Sequence, residues 1–100
     1  MATYHLTRKP VMVQAVKFTG HNYAEIMGFT GPGHFMQVSP RHIPGGDSVI
    51  VAEVYDVPHA QWTGVRVGQW ILCGVLGEFY PVDDAVARAG YEAPEGGWPE

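Results

Sequence analysis

The side chains that could carry chemistry in this chain are scattered along it. None of the histidines stands in the HxH or HExxH spacing of a metal site, and Cys73 is the single cysteine. The chain also lacks a Walker A motif and a GxSxG nucleophile elbow. Acids and histidines are available for proton transfer, but no spacing pairs them. We therefore expect a protein that is not an enzyme and holds no metal or other cofactor. The five histidines are His5, His21, His34, His42 and His59.

Arg8 and Lys9 are the adjacent cations of an otherwise acidic chain. They stand just before the first predicted strand, where two neighbouring positive charges could hold a carboxylate or a phosphate. The alternative is an ordinary solvated chain segment. A small anionic ligand is therefore one hypothesis for this end of the chain.

Glu78 is an acid inside an apolar stretch, GEFYP. It could be an ordinary exposed strand residue, or it could form an ion pair across the sheet with Arg8, Lys9 or Lys17. We favour the ion pair, since a carboxylate among apolar residues is more stable beside a cation.

We expect several aromatic residues to lie mostly in the core or in an interface: Trp62, Trp70, Phe79, Tyr80 and Tyr91. Such residues form cores and interfaces, and they also stack on bases or fill a partner's pocket, and the sequence does not separate these roles. The candidate ligand- or partner-binding residues are Arg8, Lys9, Lys17, Trp62, Trp70, Glu78 and Tyr80.

Length and composition indicate one domain with a single modest core. The chain has 100 residues, of which 46% are hydrophobic and 16% charged, with a net charge of −4. This charge makes nucleic acid an unlikely main partner. Cys73 cannot form an intrachain disulfide. We expect no membrane span and no signal peptide, hence a cytosolic location, and a homo-oligomer that adds buried area to the small core.

The elements that must position these residues centre on one stretch, residues 68–82, which reads GQWILCGVLGEFYPV. Its β-branched and aromatic residues, interrupted by glycines, predict two paired strands at 69–75 and 78–82. Before it, residues 10–18 alternate with apolar residues on both faces, which predicts a central strand.

The segments between these strands are less regular. Asn22 and Glu25 predict a capping box for a short helix at 23–27. Residues 30–47 predict a long loop with a short strand at 35–38, which could be functional or a flexible insertion.

The second half continues with strands. Residues 48–55 and 60–67 predict two more strands, with a bulge at Gly64. Residues 85–89 predict a final helical turn or two, and 94–100 a mobile acidic tail. The whole predicts a small α+β domain over 1–93, with a mostly antiparallel sheet of four to six strands and one main short helix.

Two segments, RKPVMVQAVKFTG (8–20) and GQWILCGVLGEFYPVDDAVARAGYE (68–92), resemble the start and end of a family of short bacteriophage and prophage accessory proteins. The family usually has Pro-Gly-Asp before the hairpin and Cys after GEFYP, whereas this chain has Val67-Gly68-Gln69 and Val82. The resemblance implies a phage origin and an accessory role, and no activity. Residues 30–67 do not match.

Together these observations favour a non-enzymatic phage protein that acts in the host cytoplasm by binding and inhibiting a host defence protein. A second hypothesis is a sponge that sequesters a nucleotide immune signal in a pocket lined by Arg8, Lys9 and aromatic residues. A third is a virion component.

Overall fold

The computed structural model describes residues 2–6, 12–46 and 48–99. Within these ranges the chain forms a small α+β domain of six strands and two helices, with every strand pair antiparallel, as the sequence predicted. The strands divide between two three-stranded sheets. The elements are β1 (Gln14–Lys17), α1 (Tyr23–Thr30), β2 (Phe35–His42), β3 (Val49–Asp56), β4 (Gln61–Val65), β5 (Trp70–Cys73), β6 (Phe79–Val82) and α2 (Asp84–Gly90).

Sheet A contains the predicted hairpin and has the order β1-β5-β6. The hairpin strands pair from Trp70 opposite Val82 to Cys73 opposite Phe79, so both are shorter than predicted. They are joined by a turn in which the N–H of Gly77 donates to the carbonyl of Gly74 at 3.0 Å. Gly77 has a φ of 79°, a conformation that glycine adopts without steric cost.

The prediction that the first strand is central was wrong, because β1 lies at an edge of sheet A and β5 lies in the middle. The two apolar faces have another cause. Sheet A has an apolar cluster on each face, so even an edge strand carries apolar residues facing both ways. Val16 packs against the main core on one side, and Val13 packs against a second cluster on the other.

Sheet B has the order β2-β3-β4. The predicted short strand at 35–38 is confirmed, but it is longer than predicted, since Phe35–His42 forms an eight-residue strand. The prediction of a loop was therefore wrong for residues 39–42. Its pairing with β3 shifts register between Gln37 and Arg41, around Pro40. Proline is tolerated at an edge or a bulge, where no ladder hydrogen bond is lost. The Pro- and Gly-rich composition therefore concealed an irregular edge strand.

Gly64 is not a bulge as predicted, because it pairs in regular register with Glu53. It is instead a position of close approach. A Cβ atom there would lie 2.9 Å from Cδ1 of Ile50 and 3.3 Å from Nη2 of Arg41. The Ile50 side chain lies over the bare glycine.

Asn22 begins the helix α1, but the predicted capping box is wrong in detail. The Asn22 side chain makes no capping hydrogen bond to the helix. Its Oδ1 accepts from the N–H of Thr19 at 2.8 Å, and its Nδ2 donates to the carbonyl of Lys17 at 2.7 Å and to Oε1 of Glu25 at 2.7 Å. Asn22 thus ties the end of β1 to the start of the helix.

The main core lies between the inner faces of the two sheets and α1. Phe18 stands edge-on to Phe35, with ring centroids 5.5 Å apart, and both rings are buried. The fully buried Ile26 of α1 and Ile71 of β5 belong to the same cluster. A second, smaller cluster lies on the other face of sheet A. The second cluster forms the base of the candidate site.

Candidate functional site

A large groove runs between the outer face of sheet A and the C-terminal segment of the chain. Its volume is about 1260 Å³. Val13, Leu72 and Tyr80 line it from the sheet, and Val86 and Trp98 line it from α2 and the residues that follow. We call this feature the groove. Sheet A presents these side chains together because residues two apart on a strand, and residues opposite each other on paired strands, share one face.

Trp70 anchors one end of the groove. Its side chain is 8% exposed and stands edge-on to Trp98, with ring centroids 5.7 Å apart. The guanidinium of Arg88 lies 5.4 Å from the centre of the Trp98 ring, a cation–π arrangement, and donates to the carbonyl of Pro99 at 2.6 Å. These contacts lie within the predicted mobile tail, whose mobility stays a prediction.

Tyr80 faces the groove from β6, beside Tyr91. Desolvation by burial raises the pKa of the Tyr80 phenol, and the neighbouring Tyr91 hydroxyl and Glu78 carboxylate raise it further. The phenol is therefore neutral across the physiological pH range. It presents an apolar ring with a polar tip to whatever enters the groove.

Glu78 lines the groove at the hairpin turn, and its carboxylate folds back onto the turn. Oε2 accepts a hydrogen bond from the N–H of Leu76 at 2.8 Å. The side chain lies over Gly74, where any Cβ atom would overlap the carboxylate. The predicted ion pair between Glu78 and Lys17 is therefore wrong, since Glu78 is held by the turn and Lys17 pairs with Asp84.

Asp84 is the centre of a polar network where α2 meets sheet A. It accepts hydrogen bonds from Nε1 of Trp70 at 2.9 Å and from Nε of Arg88 at 2.8 Å, and Nζ of Lys17 lies 3.5 Å from it. The hydrogen bond from Trp70 does most to hold the pKa of the Asp84 carboxyl below its usual value. The contacts with Arg88 and Lys17 lower this pKa further.

Asp83 extends this network to sheet B. Its Oδ1 accepts from Nη2 of Arg66 at 2.5 Å and from Nε2 of Gln69 at 2.9 Å, and Arg66 also donates to Ser48 at 3.1 Å. Sequence reasoning did not identify Arg66 as a partner. The adjacent acids Asp83 and Asp84 were the available signal, because a nearby cation stabilises two neighbouring carboxylates.

Trp62 lies apart from the groove, on sheet B. It is 38% exposed and packs against Tyr55, with centroids 5.1 Å apart, and Tyr55 stacks on His34 at 5.7 Å. These three rings form a separate aromatic row on a mixed polar face. Trp62 therefore does not share a site with Trp70 and Tyr80.

Of the sequence-predicted site residues, Trp70, Glu78 and Tyr80 come together in the groove. Lys17 is linked to them through Asp84 and the Trp70 indole. Arg8 and Lys9 lie outside the described residues.

The described charged residues that line the groove are acidic. They are Glu78, Glu92 and Glu95, and among its described lining residues there is no lysine or arginine. Most of the other lining residues are apolar. The groove therefore has the surface chemistry that an apolar segment carrying positive charge would match.

Comparison of the chain with protein-family models, with curated proteins and with solved structures gave no match. Across 2–6, 12–46 and 48–99, no three histidine, cysteine or acidic side chains converge as metal ligands would. Neither helix in the described part of the chain has the length and apolar character needed to cross a bilayer.

Proposed function

We propose that this chain is a phage-encoded, non-enzymatic binding protein that acts in the host cytoplasm and inhibits a host defence protein by binding it in the groove. The observation that carries the proposal is the apolar rim of the groove. Met12, Val75 and Val86 line it while 99%, 74% and 59% exposed. Exposed apolar side chains gathered around one groove are typical of sites of interaction with other proteins.

The groove combines a buried aromatic base with an exposed apolar rim, as protein-binding sites do. Trp70 and Trp98 form a packed aromatic base, and exposed aliphatic side chains form the rim. Binding energy at protein interfaces is concentrated in buried aromatic anchors that a rim shields from water.

The acidic residues that line the groove favour a host protein over a nucleotide as the bound partner. A nucleotide phosphate in the groove would face the carboxylates of Glu78, Glu92 and Glu95. Like charges this close are unfavourable, whereas a lysine or arginine of a protein partner would be attracted. We therefore expect the bound segment of the host protein to be apolar and basic. The phage origin is supported by the resemblance of residues 8–20 and 68–92 to phage accessory proteins.

The proposal is tested by expressing the chain in a bacterial host that carries phage defences and measuring the plating of a phage sensitive to them. The wild-type chain should restore plating and co-purify with one host protein. Val86→Glu, which places a charge on the groove rim, should abolish both effects. Val57→Glu is the matched control, because Val57 is 48% exposed in the turn after β3 and does not line the groove. Equal effects of the two variants would refute a role for the groove.

Calorimetric titration with cyclic oligonucleotides distinguishes the sponge hypothesis. The host-protein proposal predicts no heat. If heat is released, replacing both Arg8 and Lys9 with alanine should weaken binding at least about tenfold, as expected for loss of a charge-assisted hydrogen bond worth roughly 1.5–3 kcal/mol. Mass spectrometry of assembled phage would reveal the chain if it is a virion component, and the proposal predicts that it is absent.

A further inference from the structure

Within the described residues, the outer edge of β1 has no strand paired to it, and its backbone groups could pair with a second copy of the same strand. Among the described strands, none pairs with β1 on the side away from β5. Met12 is 99% exposed beside this edge, and Gln14 and Ala15 are exposed on it. Natural proteins protect such edges with charges, prolines, bulges or covering segments, because an open edge recruits another strand.

Two of the other three described edges carry such protection. Just before β6, the carbonyl of Glu78 accepts from the N–H of Gly74, so the backbone groups of Glu78 face β5. Alternate residues of a strand bond to opposite sides, so the backbone of residue 81 faces outward. Pro81 has no N–H to offer at this outer edge. In β2, Pro40 and the register shift interrupt the edge. For the remaining edge, β4, the structure shows only that some of its residues approach β6.

The cation of β1 does not protect its edge. Lys17 is directed to Asp84, at 3.5 Å, with its side chain 20% exposed. A lysine that projects into solvent would repel a second copy of the same strand. This one is held within its own chain.

The hydrogen-bond pattern shows which backbone groups are free. Phe18 donates to the carbonyl of Gln69 and accepts from the N–H of Gly68, both at 2.8 Å, so its backbone groups face β5. Because alternate residues of a strand bond to opposite sides, Val16 and Gln14 also face β5. The N–H and carbonyl groups of Val13 and Ala15 therefore point outward.

We propose that a second copy of this chain pairs antiparallel with β1 along this edge, with the two-fold axis at Gln14. In this register Val13 of one copy exchanges backbone hydrogen bonds with Ala15 of the other. The two Gln14 side chains then face each other. An amide both donates and accepts hydrogen bonds, so glutamine is complementary to itself on the axis.

The pairing has a consequence for binding. A two-fold axis at an antiparallel strand pair is perpendicular to the sheet, so both copies present the same face in the same direction. The two grooves would open side by side on one six-stranded sheet. A partner with two binding segments could then engage both grooves, with the gain in affinity that linked sites provide.

Sedimentation velocity with charge-swapped variants tests this interface. The wild-type chain should sediment as a dimer, and Gln14→Lys should weaken dimerisation by roughly tenfold or more, because like charges would face each other on the axis. An equimolar mixture of Gln14→Lys and Gln14→Glu should restore the dimer. Gln37→Lys, at an exposed position on another edge strand, is the control and should not weaken it.

Cysteine cross-linking tests the register independently of charge. Residues facing each other in a non-hydrogen-bonded pair have Cα atoms about 4.5 Å apart, within the range of a disulfide. In a Cys73→Ala background, Gln14→Cys should give a disulfide-linked dimer on oxidation, and Gln37→Cys should not. A wild-type monomer at high concentration, or a dimer that neither Gln14 variant affects, would overturn the proposal. Gln14 does not line the groove, so this failure would leave the proposed function standing.

Discussion

Replacing Trp70 by alanine removes the aromatic base of the groove and should strongly destabilise the fold. The indole is 8% exposed, packs on Trp98 and donates from Nε1 to Asp84. Truncating a buried aromatic residue costs roughly 3–5 kcal/mol, from lost transfer energy and from the cavity left behind. The free energy of unfolding of a domain is typically roughly 5–15 kcal/mol, so this loss is a large part of the total.

Urea unfolding followed by far-ultraviolet circular dichroism measures this loss. With a slope of roughly 1–3 kcal/mol per molar urea, the midpoint should fall by at least about 1 M. The chain concentration must be the same for each variant, because self-association raises the apparent stability. Far-ultraviolet dichroism is preferable to tryptophan fluorescence, which the substitution itself changes.

Trp62→Ala is the matched control, since it removes the same side chain from a position that is 38% exposed on the other sheet. Its loss should be smaller, roughly 0.5–1.5 kcal/mol for the aromatic pair with Tyr55. The reasoning fails if Trp70→Ala loses less than about 1 kcal/mol, or if it loses no more than Trp62→Ala does.

Further predictions concern Asp84 and two glycines. The pKa of Asp84 is lower in the folded state than in the unfolded state. The charged carboxylate therefore adds to stability at pH values above the unfolded-state pKa of about 3.9. This contribution is lost as the pH falls through the folded-state pKa. Trp70→Phe removes the hydrogen bond that lowers the pKa of Asp84 most. Nuclear magnetic resonance titration should therefore show a higher pKa for Asp84 in this variant. An unchanged pKa would contradict the role given to the Trp70 hydrogen bond. Gly64→Ala should cost roughly 1–3 kcal/mol in thermal unfolding, because the new Cβ would crowd Ile50. Gly28→Ala, in α1 with open space around its Cβ position, should instead stabilise by up to about 1 kcal/mol. The same sign for both glycine variants would be inconsistent with the packing described.

Local pattern explains why the fold class and the hairpin were predictable. β-branched and aromatic residues around Gly74 and Gly77 specify paired strands within one short stretch of chain. The helix begins at the residue after Asn22, as the sequence indicated. Such features depend on neighbours in sequence, and propensity and turn chemistry act at that range.

Strand order was not predictable from the same pattern. An apolar residue on each face of β1 indicates that both faces are covered, and it does not say whether another strand lies on each side. The partition into two sheets, and the assignment of Pro40 to a strand, likewise depend on which segments meet. Proline excludes a position within a sheet interior, but it does not exclude an edge.

For the candidate site, the sequence by itself determined which residues have the chemistry to bind: the aromatic residues of the hairpin and the acid at Glu78. Only the tertiary structure decided that Trp70, Glu78 and Tyr80 share one groove, that Trp62 does not, and that Lys17 pairs with Asp84. The physical reason is that side-chain type is local, whereas proximity is set by pairing between segments far apart in the chain. Lys17 and Asp84 are brought together by the β1–β5 register and by the position of α2, neither of which leaves a mark on the residues themselves.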